Sequence, residues 1–268
     1  MDLPPLVTEI TQHLRSEVVT ALGRPPSALY LYGSVALDDF RPGTSDIDFV
    51  TILDEAPSAA ETEALASAHR RLAGRFPETH VDGIYSTAAE LANGPYETGV
   101  HAHEGVVGVG TFERLWVTWH GLVQGGVTIA GPPLRSVTVG TNLAALSAWV
   151  RGNLDGYWRE GCRAASVPGS PERDQALKPE LTAWTVLGVT RLHYTLTTGH
   201  ITSKTGAGQY ALKVFDERWH PIVEEALAIR RGGDPPSRFA KAETRRDEML
   251  GFCDMVIADA PRPPGETT

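Results

Sequence analysis

The chain has 268 residues, 41% hydrophobic and 21% charged, with a formal net charge of −9. This length accommodates one large domain or two small ones with a real core, and the acidic balance excludes a general nucleic-acid binder, which needs clustered Lys and Arg, while favouring a cationic partner. No stretch reaches the roughly 18 consecutive apolar residues of a membrane span, and Met1-Asp2-Leu3-Pro4-Pro5 has neither the basic nor the apolar region of a signal peptide, so a cytoplasmic protein without membrane or nucleic-acid partners is expected.

Leu6, Ile10, Leu14, Val18 and Leu22 recur in steps of four, which predicts an amphipathic helix over residues 5–22 that Gly23, Pro25 and Pro26 end. Ala28 to Tyr32 is an apolar run of strand length that stops at Gly33-Ser34. A polar, turn-rich stretch from Asp38 to Ser45 leads into a second predicted strand, Asp46 to Leu53. Pro57 to Gly74 is Ala-rich and helical, and Thr79 to Tyr85 is a third strand weakened by Gly83. The glycine-rich residues 93–111 have little periodicity and are expected to form a long loop. Phe112 to Val123 is a short helix, with Trp116 and Trp119 on a core face, and Val127 to Ala130 is a last strand.

Beyond about residue 135 only helical patterns remain: Leu143 to Trp158, Leu181 to Thr197, Gly208 to Phe215, Pro221 to Arg230 and Ser237 to Ala258. The expected fold class is α+β. A mixed-sheet domain with helices over residues 1–145 precedes a helical bundle over 146–260 and a flexible tail over 261–268, with the chemistry in a cleft between the domains. Cys162 and Cys253 lie far apart in the sequence and lack metal-ligand spacing, so they read as free thiols. His101-Ala102-His103-Glu104 has metal-like spacing but no further ligands nearby, and it is not read as a zinc site.

The chemistry is concentrated in one stretch. Gly33-Ser34 follows a strand directly, eleven residues intervene, and Asp46-Ile47-Asp48 opens the next strand. Alternation along a strand points Asp46 and Asp48 the same way, with Ile47 turned into the core. Two carboxylates on one face repel each other, and a hard divalent cation that also meets nucleotide phosphates relieves the repulsion. A glycine lets backbone approach a phosphate, and the Ser34 hydroxyl can donate to it.

Leu31-Tyr32-Gly33-Ser34 and Ser45-Asp46-Ile47-Asp48-Phe49-Val50 resemble the signature of the DNA polymerase β-like nucleotidyltransferases. Further on, three segments resemble the helical domain of the streptomycin/spectinomycin adenylyltransferases: Trp184 to Thr195, Thr198-Gly199-His200-Ile201-Thr202-Ser203-Lys204, and Tyr210-Ala211-Leu212 with the helix from Trp219 to Arg230. The resemblance implies an N-terminal nucleotidyltransferase domain. It also implies Mg²⁺ on Asp46 and Asp48, with ATP phosphates on Gly33, Ser34, Arg191 and Lys204, the last being one of only four lysines. The third carboxylate of the family falls on Asp82. Antibiotic adenylyltransferases carry Glu there, one methylene longer, which leaves Asp82 as metal ligand, as catalytic base, or as both. The implied reaction transfers AMP from ATP to a hydroxyl of an aminoglycoside or aminocyclitol and releases pyrophosphate. Asp155 and Glu180 are candidate contacts for such a cationic antibiotic, and Trp158 is a candidate cleft residue. The alternatives are adenylylation of a protein or another small molecule, and a degenerate homologue that binds ligand without chemistry.

Overall fold

The computed structural model describes residues 3–95, 98–233 and 236–262. Two compact units divide the chain, Met1–Asn142 and Leu143–Thr268. Of the expected tail, residues 263–268 lie outside the described residues, as do residues 96 and 97 of the expected loop and residues 234 and 235.

The first unit is built on a six-stranded sheet. Its elements in chain order are α1 (Pro5–Leu22), β1 (Ala28–Leu31), a single turn α2 (Gly33–Ala36), β2 (Ile47–Leu53), α3 (Ala59–Arg75), β3 (Val81–Thr87), α4 (Ala88–Asn93), β4 (Gly99–His103), β5 (Val106–Gly110), α5 (Trp116–Gly125) and β6 (Val127–Ala130). The spatial order is β5-β4-β3-β2-β1-β6, with β2 and β3 parallel and the other neighbours antiparallel. The parallel pair requires a crossover, which α3 supplies. A reciprocal capping box starts α3, in which Glu61 N–H donates to Ser58 Oγ and Ser58 N–H to the Glu61 carboxylate.

Period-two alternation sorts the central strands into two faces. Leu29, Leu31, Ile47, Phe49, Val81 and Tyr85 join Ile10, Leu14, Leu65 and Leu72 of α1 and α3 in one core. Tyr30, Tyr32, Val50, Ile52 and Ile84 pack with Trp119 and Leu122 of α5 on the other. Asp48 and Asp82 alternate in step with this second set. Gly83, which weakens the strand pattern in sequence, is required by packing, because a Cβ there would lie 2.0 Å from the Phe49 carbonyl oxygen across the β2–β3 pair.

The structure corrects three expectations in this unit. Residues 93–111 are not a long loop; they end α4 and form the β4–β5 hairpin, joined at Glu104-Gly105 with φ of +49° and +77°, the two positive φ values of a tight hairpin turn. Repeated glycine and histidine mask the alternation there. β2 begins at Ile47 rather than Asp46, and β3 runs Val81–Thr87 rather than 79–85.

The second unit is helical throughout its described residues: α6 (Leu143–Asn153), α7 (Arg159–Ser166), α8 (Pro171–Gln175), α9 (Pro179–Thr198), α10 (Lys204–Val214), α11 (His220–Arg231) and α12 (Ala242–Asp259). The expected helix from Leu143 to Trp158 changes to a π-helical turn over Leu154–Trp158. Its core gathers Leu154, Trp158, Val186, Val189, Val223, Phe252 and Val256. Helices α10 and α12 differ from expectation at their starts. α10 opens at Lys204, where Ser203 caps it by accepting from Gly206 N–H, and α12 opens at Ala242, not Ser237. Cys162 of α7 and Cys253 of α12 are both buried, and their sulfurs lie 2.6 Å apart despite 91 residues of separation.

Candidate active site

Gly33 leaves no room for a side chain beside Asp48. Gly33 has φ +61°, and a Cβ there would stand 1.8 Å from Asp48 Oδ2. The strand–turn joint is pinned further by Tyr32 N–H to the Asp48 carbonyl, 3.1 Å, and by Ser34 Oγ to the Asp46 carbonyl, 3.4 Å. Gly33, Ser34, Asp46 and Asp48 are therefore brought together, as their order in the sequence predicts. Asp46 is exposed and Asp48 half-buried.

Asp82 joins them through register. The parallel β2–β3 pairing sets Asp48 directly beside Asp82, so the two carboxylates lie on the same face of neighbouring strands. Asp82 is only 6% exposed. Both of its oxygens are engaged: Oδ2 accepts from His103 Nδ1 at 2.8 Å and Oδ1 from Glu104 N–H at 2.9 Å. The donors come from the end of β4 and from the hairpin turn, the segment that the sequence presents as loop.

Sequence reasoning also missed Glu113 and Tyr32. Glu113, at φ +55°, accepts from Tyr32 Oη at 2.8 Å and from Thr118 Oγ1 at 3.1 Å. Burial holds the Tyr32 phenol well above its ordinary pKa, and the charges of Glu113 and Asp48 raise it further. The phenol thus stays a neutral donor beside the acidic face. The signal in sequence was weak, since a tyrosine in an apolar strand and a glutamate before a helix are both ordinary.

The donor set suits magnesium. Asp46, exposed, and Asp48, half-buried, carry hard carboxylate oxygens, and Mg²⁺ binds through one or two carboxylates together with substrate phosphates. No group of three or more His, Cys, Asp or Glu side chains is arranged to hold a metal among the described residues.

In the second unit, Arg191 on α9 donates from Nε to the Thr202 carbonyl at 3.1 Å, tying that helix to the segment that leads into Lys204. Lys204 Nζ stands 5.1 Å above the Trp184 ring centroid, within cation–π range. Arg191 and Lys204 thus both lie where the segment between α9 and α10 meets α9. A pocket of about 290 Å³ has Tyr157, Trp158, Leu181 and Trp184 in its wall. Trp158 itself is mainly core, with its ring against Gly188. Asp155 is paired with Arg159 at 2.7 Å and Arg151 at 3.9 Å. Glu180 is exposed in the first turn of α9. Among the described residues, no helix is long and apolar enough to cross a membrane.

Residues 13–95 match the family model of the nucleotidyltransferase domain, and residues 161–257 match that of the aminoglycoside adenylyltransferase C-terminal domain. No curated protein sequence matches the chain significantly. Among solved structures, the chain is similar to spectinomycin adenyltransferase AAD(9) from Enterococcus faecialis, solved with ATP and spectinomycin, at 12% identity and a TM-score of 0.64, over 92% of this chain and 98% of that one. At that identity the likeness is one of fold.

Proposed function

We propose that this chain, a nucleotidyltransferase resembling the aminoglycoside adenylyltransferases, transfers AMP from ATP to a hydroxyl of an aminocyclitol or aminoglycoside of the spectinomycin/streptomycin type. The observation that carries the reading is the seat of Asp48, held against Gly33 on one side and in register with Asp82 on the other. The antibiotic acceptor rests on the match of residues 161–257 to the aminoglycoside adenylyltransferase C-terminal domain and on the spectinomycin bound by AAD(9). The net charge of −9 suits a cationic acceptor.

Mg²⁺ held by Asp46 and Asp48 would neutralise charge on the triphosphate. Gly33 and Ser34 take phosphate oxygens at the start of α2, and Arg191 and Lys204 are the basic residues assigned to phosphate. The acceptor hydroxyl attacks the α-phosphorus, a P–O bond forms to it, the bond to the β-phosphate breaks, and pyrophosphate leaves. Asp82, whose two oxygens already accept hydrogen bonds, is assigned to the proton of the hydroxyl, as base or through the group it holds. Most of the rate then comes from positioning and charge neutralisation.

Incubation with MgATP and a panel of aminoglycosides and aminocyclitols, followed by pyrophosphate release and product mass, tests the reading. Spectinomycin or streptomycin carrying one added AMP is the expected product. Pyrophosphate release with no member of the panel would remove the antibiotic assignment.

A further inference from the structure

We propose that His103 Nε2, rather than Asp82, receives the proton of the attacking hydroxyl, and that Asp82 is the positioning residue that holds His103. The inference rests on the adenylyl-transfer reading above. It concerns the His101-Ala102-His103-Glu104 segment, whose His103 side chain and Glu104 N–H both donate to Asp82.

β4 pairs with β3 through Gly83–Ala102 and Ile84–His101. One step further along this antiparallel register places His103 opposite Asp82. Asp82 thus has Asp48 on one flank and His103 on the other, and it lies between the acidic face and the hairpin. A carboxylate oxygen that accepts from Nδ1 at 2.8 Å places a proton on that nitrogen, so in the neutral ring the lone pair lies on Nε2. The ring plane is fixed from the side by Phe112, whose centroid is 4.3 Å away at 32°. The His103 side chain is 48% exposed against 8% for Asp82, and Nε2 has no hydrogen bond among the described residues. The buried carboxylate, pinned through both oxygens and one methylene shorter than glutamate, is therefore placed to orient a base, and the exposed imidazole to be one. In the step itself, the hydroxyl oxygen bonds to the α-phosphorus as the bridging bond to pyrophosphate breaks. The hydroxyl proton moves to Nε2, and the Asp82 carboxylate balances the imidazolium that forms.

Two measurements test this. Long-range ¹H–¹⁵N spectra of the free protein should show His103 as the Nδ1–H tautomer, and Asp82→Asn, which presents an amide donor to Nδ1, should convert it to Nε2–H. In the pyrophosphate assay, His103→Ala should lower kcat by about 10²–10⁴-fold, the range for a lost general base, with little change in KM for ATP. Added imidazole should restore part of the rate, and Asp82→Asn should be comparably slow because its tautomer is wrong. A dominant Nε2–H tautomer in the wild-type protein overturns the inference whatever the activity. So does an active wild type whose His103→Ala variant stays within about threefold of it. His103→Gln, similar in size and without a basic nitrogen, separates loss of the base from misfolding and should be slow while folded. A wild type that transfers AMP to no acceptor defeats the adenylyl-transfer reading, and this inference falls with it.

Discussion

Replacing Gly33 by alanine tests the site at its tightest point, and the structure separates two costs. The first is backbone strain: at φ +61° an L-residue loses about 1–2 kcal/mol, worth a fall in Tm of about 2–8 °C for a unit of this size. The second is a collision, since the new Cβ would stand 1.8 Å from Asp48 Oδ2, where real Cβ contacts lie beyond 3.0 Å. The carboxylate must therefore move by more than an ångström, and a misplacement of that size in reacting groups costs on the order of 10²-fold in rate. Gly23→Ala supplies the control: Gly23 shares the left-handed conformation, φ +67°, but a Cβ there meets nothing within 4 Å. Both variants should lose similar stability by thermal melting. Only Gly33→Ala should lose pyrophosphate release at saturating MgATP. Wild-type turnover in Gly33→Ala, or equal inactivity in Gly23→Ala, would refute the argument that this glycine makes room for Asp48.

Asp46→Asn and Asp48→Asn should each abolish transfer and leave the melting temperature near wild type, because shape is kept and charge is lost; a variant with near-normal turnover by pyrophosphate release would defeat the magnesium assignment. ATP binding followed by titration calorimetry should weaken sharply in EDTA, since a chain of net charge −9 repels a polyanion that carries no cation, and equal affinity with and without Mg²⁺ would count against it. His69 gives a stability test. Burial pushes its pKa down to about 4, so the folded chain refuses a proton that the unfolded chain binds below about 6.5. Its neutral form thus supports the fold fully above that pH, and the support fades as pH falls, by about 2 kcal/mol at pH 5 and about 3 kcal/mol at pH 4. Urea denaturation should show a shallower acid limb for His69→Gln than for wild type, and parallel limbs would show that this histidine does not set the slope.

The Gly-Ser and Asp-x-Asp parts of the site were legible because they are local. Gly33-Ser34 follows an apolar strand, and after eleven further residues Asp46 stands immediately before the next strand and Asp48 lies on it, an order that the sequence displays directly. Most helices of the second unit were legible from their apolar spacing, and α1 was delimited by Pro5 and Gly23. The β4–β5 hairpin was not, because four glycines stand among residues 99–110 and obscure the strand period, although Gly105 is of a residue type that favours turns. Missing the hairpin meant missing what holds Asp82. The proximity of Cys162 and Cys253 was equally invisible, since it depends on how α7 packs on α12 across 91 residues.

What sets Asp82 beside Asp48 in the candidate site is the parallel pairing of β2 and β3, and that pairing is specified from behind. Ile47, Phe49, Val81 and Tyr85 are buried against α1 and α3, so a slip of one residue in β3 would turn Val81 and Tyr85 out of that core and Asp82 into it. Burying an unpaired carboxylate costs several kcal/mol, which makes the slipped register strongly unfavourable. The close approach of Gly83 to the Phe49 carbonyl, where no other side chain fits without displacing backbone, holds the same alignment sterically. The observed register alone places Asp82 between Asp48 and the incoming β4, within reach of His103. The geometry of the charged groups is therefore set by apolar residues that never meet the substrate. Substitutions in that hidden layer, at Phe49 or Val81, should act on catalysis through register.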